Sequence, residues 1–133
     1  MSRENVELLR QAIDAVNRGD KALWLAVCDP EIENVPPREW PESESIRGAE
    51  AVWDFFVEGN APWEGGAYEQ LEVIDAGNGR IATQLHRDVQ GKASGARVTW
   101  SFWQVVEFRN GKAVRIEWFT ERSEALEAAG LAE

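Results

Sequence analysis

The feature that most constrains this 133-residue chain is a pair of long strands joined by Asn110-Gly111, in the stretch "TWSFWQVVEFRNGKAVRIEWFTER", residues 99–122. Asn-Gly between two apolar, alternating segments is a strong signal for an antiparallel hairpin. A two-residue turn would mix charged and bulky side chains on both faces of the hairpin. Because a slip of one residue exchanges the faces of a strand, the register that separates apolar from polar side chains is preferred. It predicts a three-residue loop, residues 109–111, with Gly111 in the left-handed conformation.

In that register one face of the hairpin is apolar except for a carboxamide near its centre, Gln104. The alternation of the preceding strand adds Thr83 to the same face. A buried carboxamide without partners costs about 1–3 kcal/mol, so protein groups such as Asn34, water or a ligand must satisfy it. The sequence leaves these alternatives open. The predicted inner face of the hairpin consists of Trp100, Phe102, Gln104, Val106, Phe108, Val114, Ile116, Trp118 and Thr120.

The opposite face of the hairpin carries Trp103, Val105 and Phe119 among charged residues. Such a face is too apolar for solvent alone, which predicts a homodimer formed through the outer face of the sheet. Singly exposed aromatic side chains are the alternative. His86, on the preceding strand, is expected to point to this same face.

Helical patterns come first along the chain and strand patterns afterwards. This order predicts a single α+β domain over residues 1–133, with the helices packed on one face of a sheet. The predicted helices end at Gly19, at Asp29-Pro30 and, for residues 49–58, at Gly59; a last short helix covers residues 123–130. Strands are predicted at residues 31–35 and near residues 67–76, 80–90, 96–109 and 112–120.

Composition excludes several classes of function. Apolar residues make up 44% of the chain, with seven Trp and five Phe, so large aromatic surfaces must be buried or line a cavity. A net charge of −10 disfavours nucleic acid and anionic membranes as partners. With one Cys and one His, the chain lacks the ligands of an ordinary zinc site, and we expect no metal and no cofactor. Neither a signal peptide nor a membrane span is recognisable, which predicts a cytoplasmic protein.

Several strings carry a resemblance to a known family: "NVELLRQAIDAVNRGD", "DPEIE", "IRGAEAVWDFF", "ASGARV", "VVEFRNGKAVRIEWF" and "ERSEALEAAGL". In their order and spacing they resemble the SnoaL-like branch of the NTF2-like superfamily along almost the whole chain. The resemblance implies an α+β cone, in which a curved, mostly antiparallel sheet wraps over the N-terminal helices around a central pocket. It also implies homodimers through the outer sheet face.

Ketosteroid isomerases of the same superfamily use an aspartate base, a tyrosine and a protonated aspartic acid. Aligning "EIEN" and "WQVVEF" with that pattern puts Asn34 at the base, Ala12 at the tyrosine and Gln104 at the acid. None of the three is kept. Because Asn34 cannot accept a proton near neutral pH, the resemblance implies that isomerisation by that mechanism is absent.

Two hypotheses for function remain. In one, the protein is a cyclase, hydratase or hydrolase that acts through Gln104, Asn34, Glu121 or His86; helix capping is the structural alternative for Glu121. In the other, it is a non-catalytic ligand-binding or dimeric scaffold module. The enzyme and the ligand-binding module both expect a small, largely apolar molecule with a polar tip in the cone, whereas in the scaffold module the pocket is filled by the protein's own side chains. The loop of residues 36–47 is either a lid or part of the dimer interface. The expected ligand-binding residues are Gln104, Asn34, Trp24, Trp40, Trp53, Phe56, Thr83, Trp100, Phe102, Trp118 and Thr120.

Overall fold

Three helices form where apolar residues recur three and four positions apart. The computed structural model describes residues 2–40 and 44–131, and the helices are α1 (Ser2–Arg18), α2 (Lys21–Val27) and α3 (Ala49–Asn60). The predicted end of the third helix at Gly59 was wrong. The helix continues to Asn60, whose Nδ2 donates to the Phe56 carbonyl at 2.8 Å and satisfies an acceptor of the last turn. No helix of the described residues is long and apolar enough to cross a membrane.

The remaining described elements are seven strands and a short helix, α4 (Arg122–Ala128). The strands form one curved, open sheet in the order β2-β1-β7-β6-β5-β3, with β4 also paired to β5. Only β1 and β7 pair in parallel; the other described pairs are antiparallel. The predicted α+β class and mostly antiparallel sheet are therefore confirmed. The strands are β1 (Cys28–Val35), β2 (Ile46–Arg47), β3 (Trp63–Glu64), β4 (Glu69–Asp75), β5 (Arg80–Gly91), β6 (Arg97–Arg109) and β7 (Lys112–Phe119).

The turn between β6 and β7 has two residues, and the predicted three-residue loop was wrong. Asn110 and Gly111 have φ angles of 52° and 74°, and Arg109 pairs directly with Lys112. Two consecutive positive φ angles match the twist of the strands that they join.

The separation of the faces is nevertheless achieved, by a bulge instead of a longer loop. The register shifts between Glu107 and Phe108, so that Val114 has no partner on β6. Beyond the bulge Gln104 lies opposite Trp118. Val114 thus leaves the inner face on which the three-residue loop would have placed it, and Ala113 lies opposite Phe108 instead.

Part of the outer face of the sheet is covered by the chain's own last helix. Trp103, Val105 and Phe119 are at most 6% exposed, because they pack against α4 through Leu126 and Ala129. They are not available to a second copy while α4 stays in place. A dimer through these three side chains requires them to be exposed on the single chain, and they are buried instead. Homodimer formation itself stays a prediction.

Polar contacts hold α4 on the sheet. Arg122 pairs with Glu72 at 2.9 Å and lies 5.6 Å above the Trp103 ring. The Arg80 guanidinium and the Asn78 amide each donate to a carbonyl near the end of the helix, at 3.2 Å. These contacts satisfy carbonyls that a helix C-terminus would otherwise leave unpaired.

The turn geometry predicts unequal effects on stability for two substitutions. A Cβ at Gly111 would meet no atom within 4 Å, so Gly111→Ala strains only the backbone and should lower the free energy of unfolding by about 1–2 kcal/mol. Asn110→Gly relieves a positive φ and should change stability by less than about 0.5 kcal/mol. Urea unfolding of both variants measures the difference. Equal stabilities of Gly111→Ala and the wild type would contradict the two-residue turn.

Candidate functional site

Helices and the inner sheet face enclose two adjoining cavities. The inner chamber has a volume of about 40 Å³ and the outer chamber one of about 430 Å³. Phe56, Tyr68 and Trp118 border both chambers. The rest of the inner chamber is lined by Leu9, Ala12, Ile13, Val16, Trp24, Cys28, Leu85, Gln104, Val106, Phe108, Ala113 and Ile116. The rest of the outer chamber is lined by Asn34, Pro36, Pro37, Trp40, Phe55, Gly59, Asn60, Trp63, Trp100 and Phe102.

Gln104 is the one carboxamide among the described residues that line the inner chamber. The side chain is 6% exposed, and its Oε1 is fully buried without a hydrogen-bond partner among the described residues. Its neighbour Thr83 is already engaged, donating to the Glu72 carbonyl at 2.7 Å and accepting from Gln70 at 3.2 Å. Within the described residues, neither the backbone nor Asn34 satisfies Oε1. Of the alternatives that the sequence left open, water and a ligand remain.

Asn34 lines the outer chamber, and there it offers a hydrogen-bond donor where Gln104 offers an acceptor. Its Oδ1 accepts a hydrogen bond from the Trp118 indole at 2.8 Å. Because an indole N–H can only donate, this bond fixes which end of the Asn34 amide is the oxygen. The remaining group, Nδ2, donates to no side chain or carbonyl of the described residues.

Aromatic rings form a continuous wall from the core to the mouth. Successive centroids lie 5.5 Å apart for Trp24 and Phe56, 6.3 Å for Phe56 and Trp118, 6.3 Å for Trp118 and Phe102, and 5.5 Å for Phe102 and Trp40. All four pairs meet edge to face, the arrangement that aromatic quadrupoles favour. The wall therefore offers both ring faces and ring edges to an apolar ligand.

Tyr68 is held between the chambers by contacts that the sequence did not reveal. Asn17 exchanges two hydrogen bonds with the Tyr68 backbone, at 2.8 and 3.1 Å. The Arg87 guanidinium lies 4.8 Å above the Tyr68 ring and donates to the Gly66 carbonyl at 2.8 Å and to Asn60. Arg87 thus fastens the loop that carries Tyr68 and borders neither chamber.

The structure brings most of the predicted ligand-binding residues to the chambers. Gln104, Trp24, Phe56 and Trp118 border the inner chamber, and Asn34, Trp40, Phe56, Trp100, Phe102 and Trp118 the outer one.

Three predicted ligand-binding residues border neither chamber. Trp53 packs behind Trp24 at 6.0 Å, Thr83 bonds to β4, and Thr120 donates to Glu39 at 3.1 Å.

Sequence reasoning missed Tyr68, Trp63, Phe55 and Asn60, which border the outer chamber. Trp63 lies 5.1 Å from Trp100, and a ring on the two-residue strand β3 has no periodic signal.

The catalytic candidates with an acid or base lie away from the chambers. His86 is on the outer sheet face, 3.1 Å from Ser101 and 3.4 Å from Asp88. Glu121 is exposed at the N-terminus of α4 and makes no capping hydrogen bond through its side chain. Among the described residues that line either chamber there is no Asp, Glu, His, Lys or Arg.

Cys28 is the inner chamber's titratable group besides Tyr68. Burial raises the pKa of the Cys28 thiol to about 12, and nearby Lys112 opposes this shift only weakly. The thiol is therefore neutral at physiological pH and a poor nucleophile. The described residues contain no cluster of three or more His, Cys, Asp or Glu that could hold a metal ion.

The lid prediction for residues 36–47 is only partly addressed, because residues 41–43 lie outside the described residues. Trp40 is 45% exposed, and its ring meets the Phe102 ring edge to face at the mouth of the outer chamber. This is the position that a lid residue would occupy, and the closing role stays a prediction.

Comparisons with known proteins agree on the fold. The sequence profile of the SnoaL-like domain matches residues 9–116. An NTF2-like protein from Burkholderia xenovorans LB400 is 25% identical, with a TM-score of 0.76 over 97% of each chain. A protein assigned as a SnoaL-like polyketide cyclase, from Jannaschia sp. CCS1, is 14% identical, with a TM-score of 0.78 over 99% of this chain and 95% of that one. TerC, co-crystallised with polyporic acid, is 21% identical, with a TM-score of 0.75 over 96% of this chain and 98% of that one. No curated protein matches the sequence significantly.

The unpaired acceptor predicts that Gln104→Leu raises the free energy of unfolding of the unliganded protein by about 1–3 kcal/mol, because the cost of burying Oε1 is removed. The matched control is Gln70→Leu, which deletes an existing hydrogen bond to Thr83 and should lower stability by about 0.5–1.5 kcal/mol. Urea unfolding of the two variants measures both effects. A destabilised Gln104→Leu would mean that the carboxamide is satisfied without a ligand.

The Cys28 pKa predicts a loss of stability in alkali. A thiol whose pKa is raised on folding, from 9.0 to about 12, stabilises the native state fully below about pH 9 and loses that contribution as the pH rises towards 12. Between pH 9 and 10.5 the free energy of unfolding should fall by at most about 1.4 kcal/mol per pH unit from this group. Cys28→Ala should lack this component of the slope, measured by urea unfolding across the range. Parallel slopes for the variant and the wild type would refute the assignment.

Proposed function

Because the chain belongs to the SnoaL-like domain family, we propose that its two chambers bind a small, uncharged, largely apolar molecule that carries a hydrogen-bonding group. The observation that carries this proposal is the buried, unpaired carboxamide of Gln104 in an otherwise apolar chamber. A ligand group that bonds to Gln104 removes a cost of about 1–3 kcal/mol, and this gain favours binding.

The size and chemistry of the outer chamber support the proposal. A volume of about 430 Å³ lies within the range of about 300–1,000 Å³ that is typical of small-molecule sites. The lining is mainly aromatic, with Asn34 and Asn60 as its carboxamides. A charged ligand would find no opposite charge among the described lining residues, which favours a neutral one.

The lining of the chambers favours binding of a ligand without acid–base catalysis. Cyclisation, hydration or hydrolysis by a general acid or base needs such a group within hydrogen-bond reach of the reacting atoms. His86 and Glu121 lie elsewhere, and carboxamides bind without transferring protons at neutral pH. A provisional polyketide cyclase and a protein co-crystallised with polyporic acid share this fold, which supports a small organic molecule as the ligand.

Gly59 allows the outer chamber to be filled without disturbing the fold. It lies in α3, borders the chamber, and a Cβ there would meet no atom within 4 Å. Gly59→Leu should therefore fold with equal or greater stability, because Gly costs about 1 kcal/mol in a helix. Gly59→Ala is the matched control, since it makes the same backbone change and leaves the chamber open.

The test is calorimetric titration with 6-acetyl-2-naphthol, which carries both a donor and an acceptor. We expect the probe to bind the wild type and Gly59→Ala within about twofold of each other, and Gly59→Leu at least about tenfold more weakly, a loss of about 1.4 kcal/mol. The absence of binding to the wild type, or equal binding to Gly59→Leu, would overturn the proposal.

A further inference from the structure

The two buried carboxamides present opposite hydrogen-bonding polarity to the chambers. In the inner chamber the orphaned atom is an acceptor, Oε1 of Gln104. In the outer chamber the acceptor of Asn34 is taken by Trp118, and the donor Nδ2 is left without a described partner. Both side chains are more than nine-tenths buried, so each unpaired atom favours a complementary ligand group.

A single ligand group cannot meet both carboxamides. Asn34 lies beside Ile116 on β7, and Gln104 lies beside Trp118 on the other side of the same strand. Two strand spacings and an offset of two residues separate their Cα atoms by about 12 Å before curvature is allowed for. The Trp118 indole stands between them and borders both chambers. The ligand must therefore carry two polar groups, one on each side of this ring.

The inner group that pairs with Gln104 Oε1 is a donor. A ligand carbonyl at Gln104 could accept only from Nε2 and would leave Oε1 unpaired, with the full cost of burial. A hydroxyl donates to Oε1 and removes that cost. An ammonium would donate as well, but the described lining offers no carboxylate to balance its charge. A chamber of about 40 Å³ has room for a hydroxyl and little more.

We infer that the ligand is a neutral hydroxy-carbonyl compound with an aromatic or similarly flat body. Its hydroxyl enters the inner chamber and donates to Gln104 Oε1, and its carbonyl stays in the outer chamber and accepts from Asn34 Nδ2. The body lies along the aromatic wall and passes Phe56, Tyr68 and Trp118, which border both chambers. This inference rests on the proposed function, and it specifies which end of the ligand lies in which chamber.

Four naphthalenes form a matched set of probes: 6-acetyl-2-naphthol, its methyl ether, 2-acetylnaphthalene, which lacks the hydroxyl, and 2-naphthol, which lacks the carbonyl. Their dissociation constants are measured at pH 7 by calorimetry for the wild type, Gln104→Leu and Asn34→Asp. The carboxylate of Asn34→Asp can still accept from Trp118 and offers no donor. Because burial raises the pKa of a carboxyl group, the Asn34→Asp titrations are repeated at pH 8, where the effect of the acetyl group must be as small as at pH 7.

We expect loss or methylation of the hydroxyl to weaken binding to the wild type by about tenfold, and to Gln104→Leu by less than about twofold. Loss of the acetyl group should weaken binding to the wild type by about five- to tenfold, and to Asn34→Asp by less than about twofold. These are the fold-changes of one net hydrogen bond each.

Other outcomes separate the inference from the proposed function. If all four probes bind the wild type within twofold of one another and Gly59→Leu still abolishes binding, the chambers bind ligand and the inference is overturned. If the effect of the acetyl group disappears in Gln104→Leu instead, the ligand lies in the opposite direction and the inference is equally overturned. If no probe binds the wild type, the proposed function fails and the inference fails with it. Because the probe series is compared within the wild type, an unstable variant does not remove the test.

Discussion

The hydrogen bond from the Trp118 indole to Asn34 is the interaction on which the interior depends. It crosses the parallel pair of β1 and β7, and it holds the indole upright between Phe56 and Phe102. In that position the ring divides the cone into two chambers. The same bond also uses the acceptor of Asn34, so one contact sets both the partition of the cavity and the polarity of its outer half.

The bulge at Val114 is what brings Trp118 opposite Gln104. The alternating pattern placed Gln104, Ile116 and Trp118 correctly on the inner face, because period 2 fixes parity, and it misplaced Val114 at the bulge. The pattern could not show which turn joins the two strands. A three-residue loop, and a two-residue turn followed by a bulge, point the same side chains inward over most of the hairpin. The two differ only in local backbone angles, such as the positive φ of Asn110.

The candidate site was predictable to the extent that it lies on regular elements. Trp24, Phe56 and Trp118 follow from the apolar faces of helices and strands. Tyr68 comes from a loop whose position depends on Arg87 and Asn17, residues distant in sequence, and no periodic pattern encodes such contacts. The covering of the outer face was missed for the same reason. The short α4 is visible in the sequence, but the surface that it covers is assembled from three strands.

Gln104 gives the strongest physical argument that the cone is built for a ligand. A leucine of similar volume would complete the apolar lining of the inner chamber and remove an unpaired acceptor, whereas glutamine keeps a group that costs about 1–3 kcal/mol when unpaired. Isolated polar groups of this kind are uncommon in protein cores, where nearly all find partners. The amide oxygen of Asn34, two strands away, is paired with Trp118, which shows that this interior can satisfy an amide acceptor where the fold itself needs one. The unpaired acceptor of Gln104 is therefore the observation that the proposed ligand, with a donor for Oε1, explains.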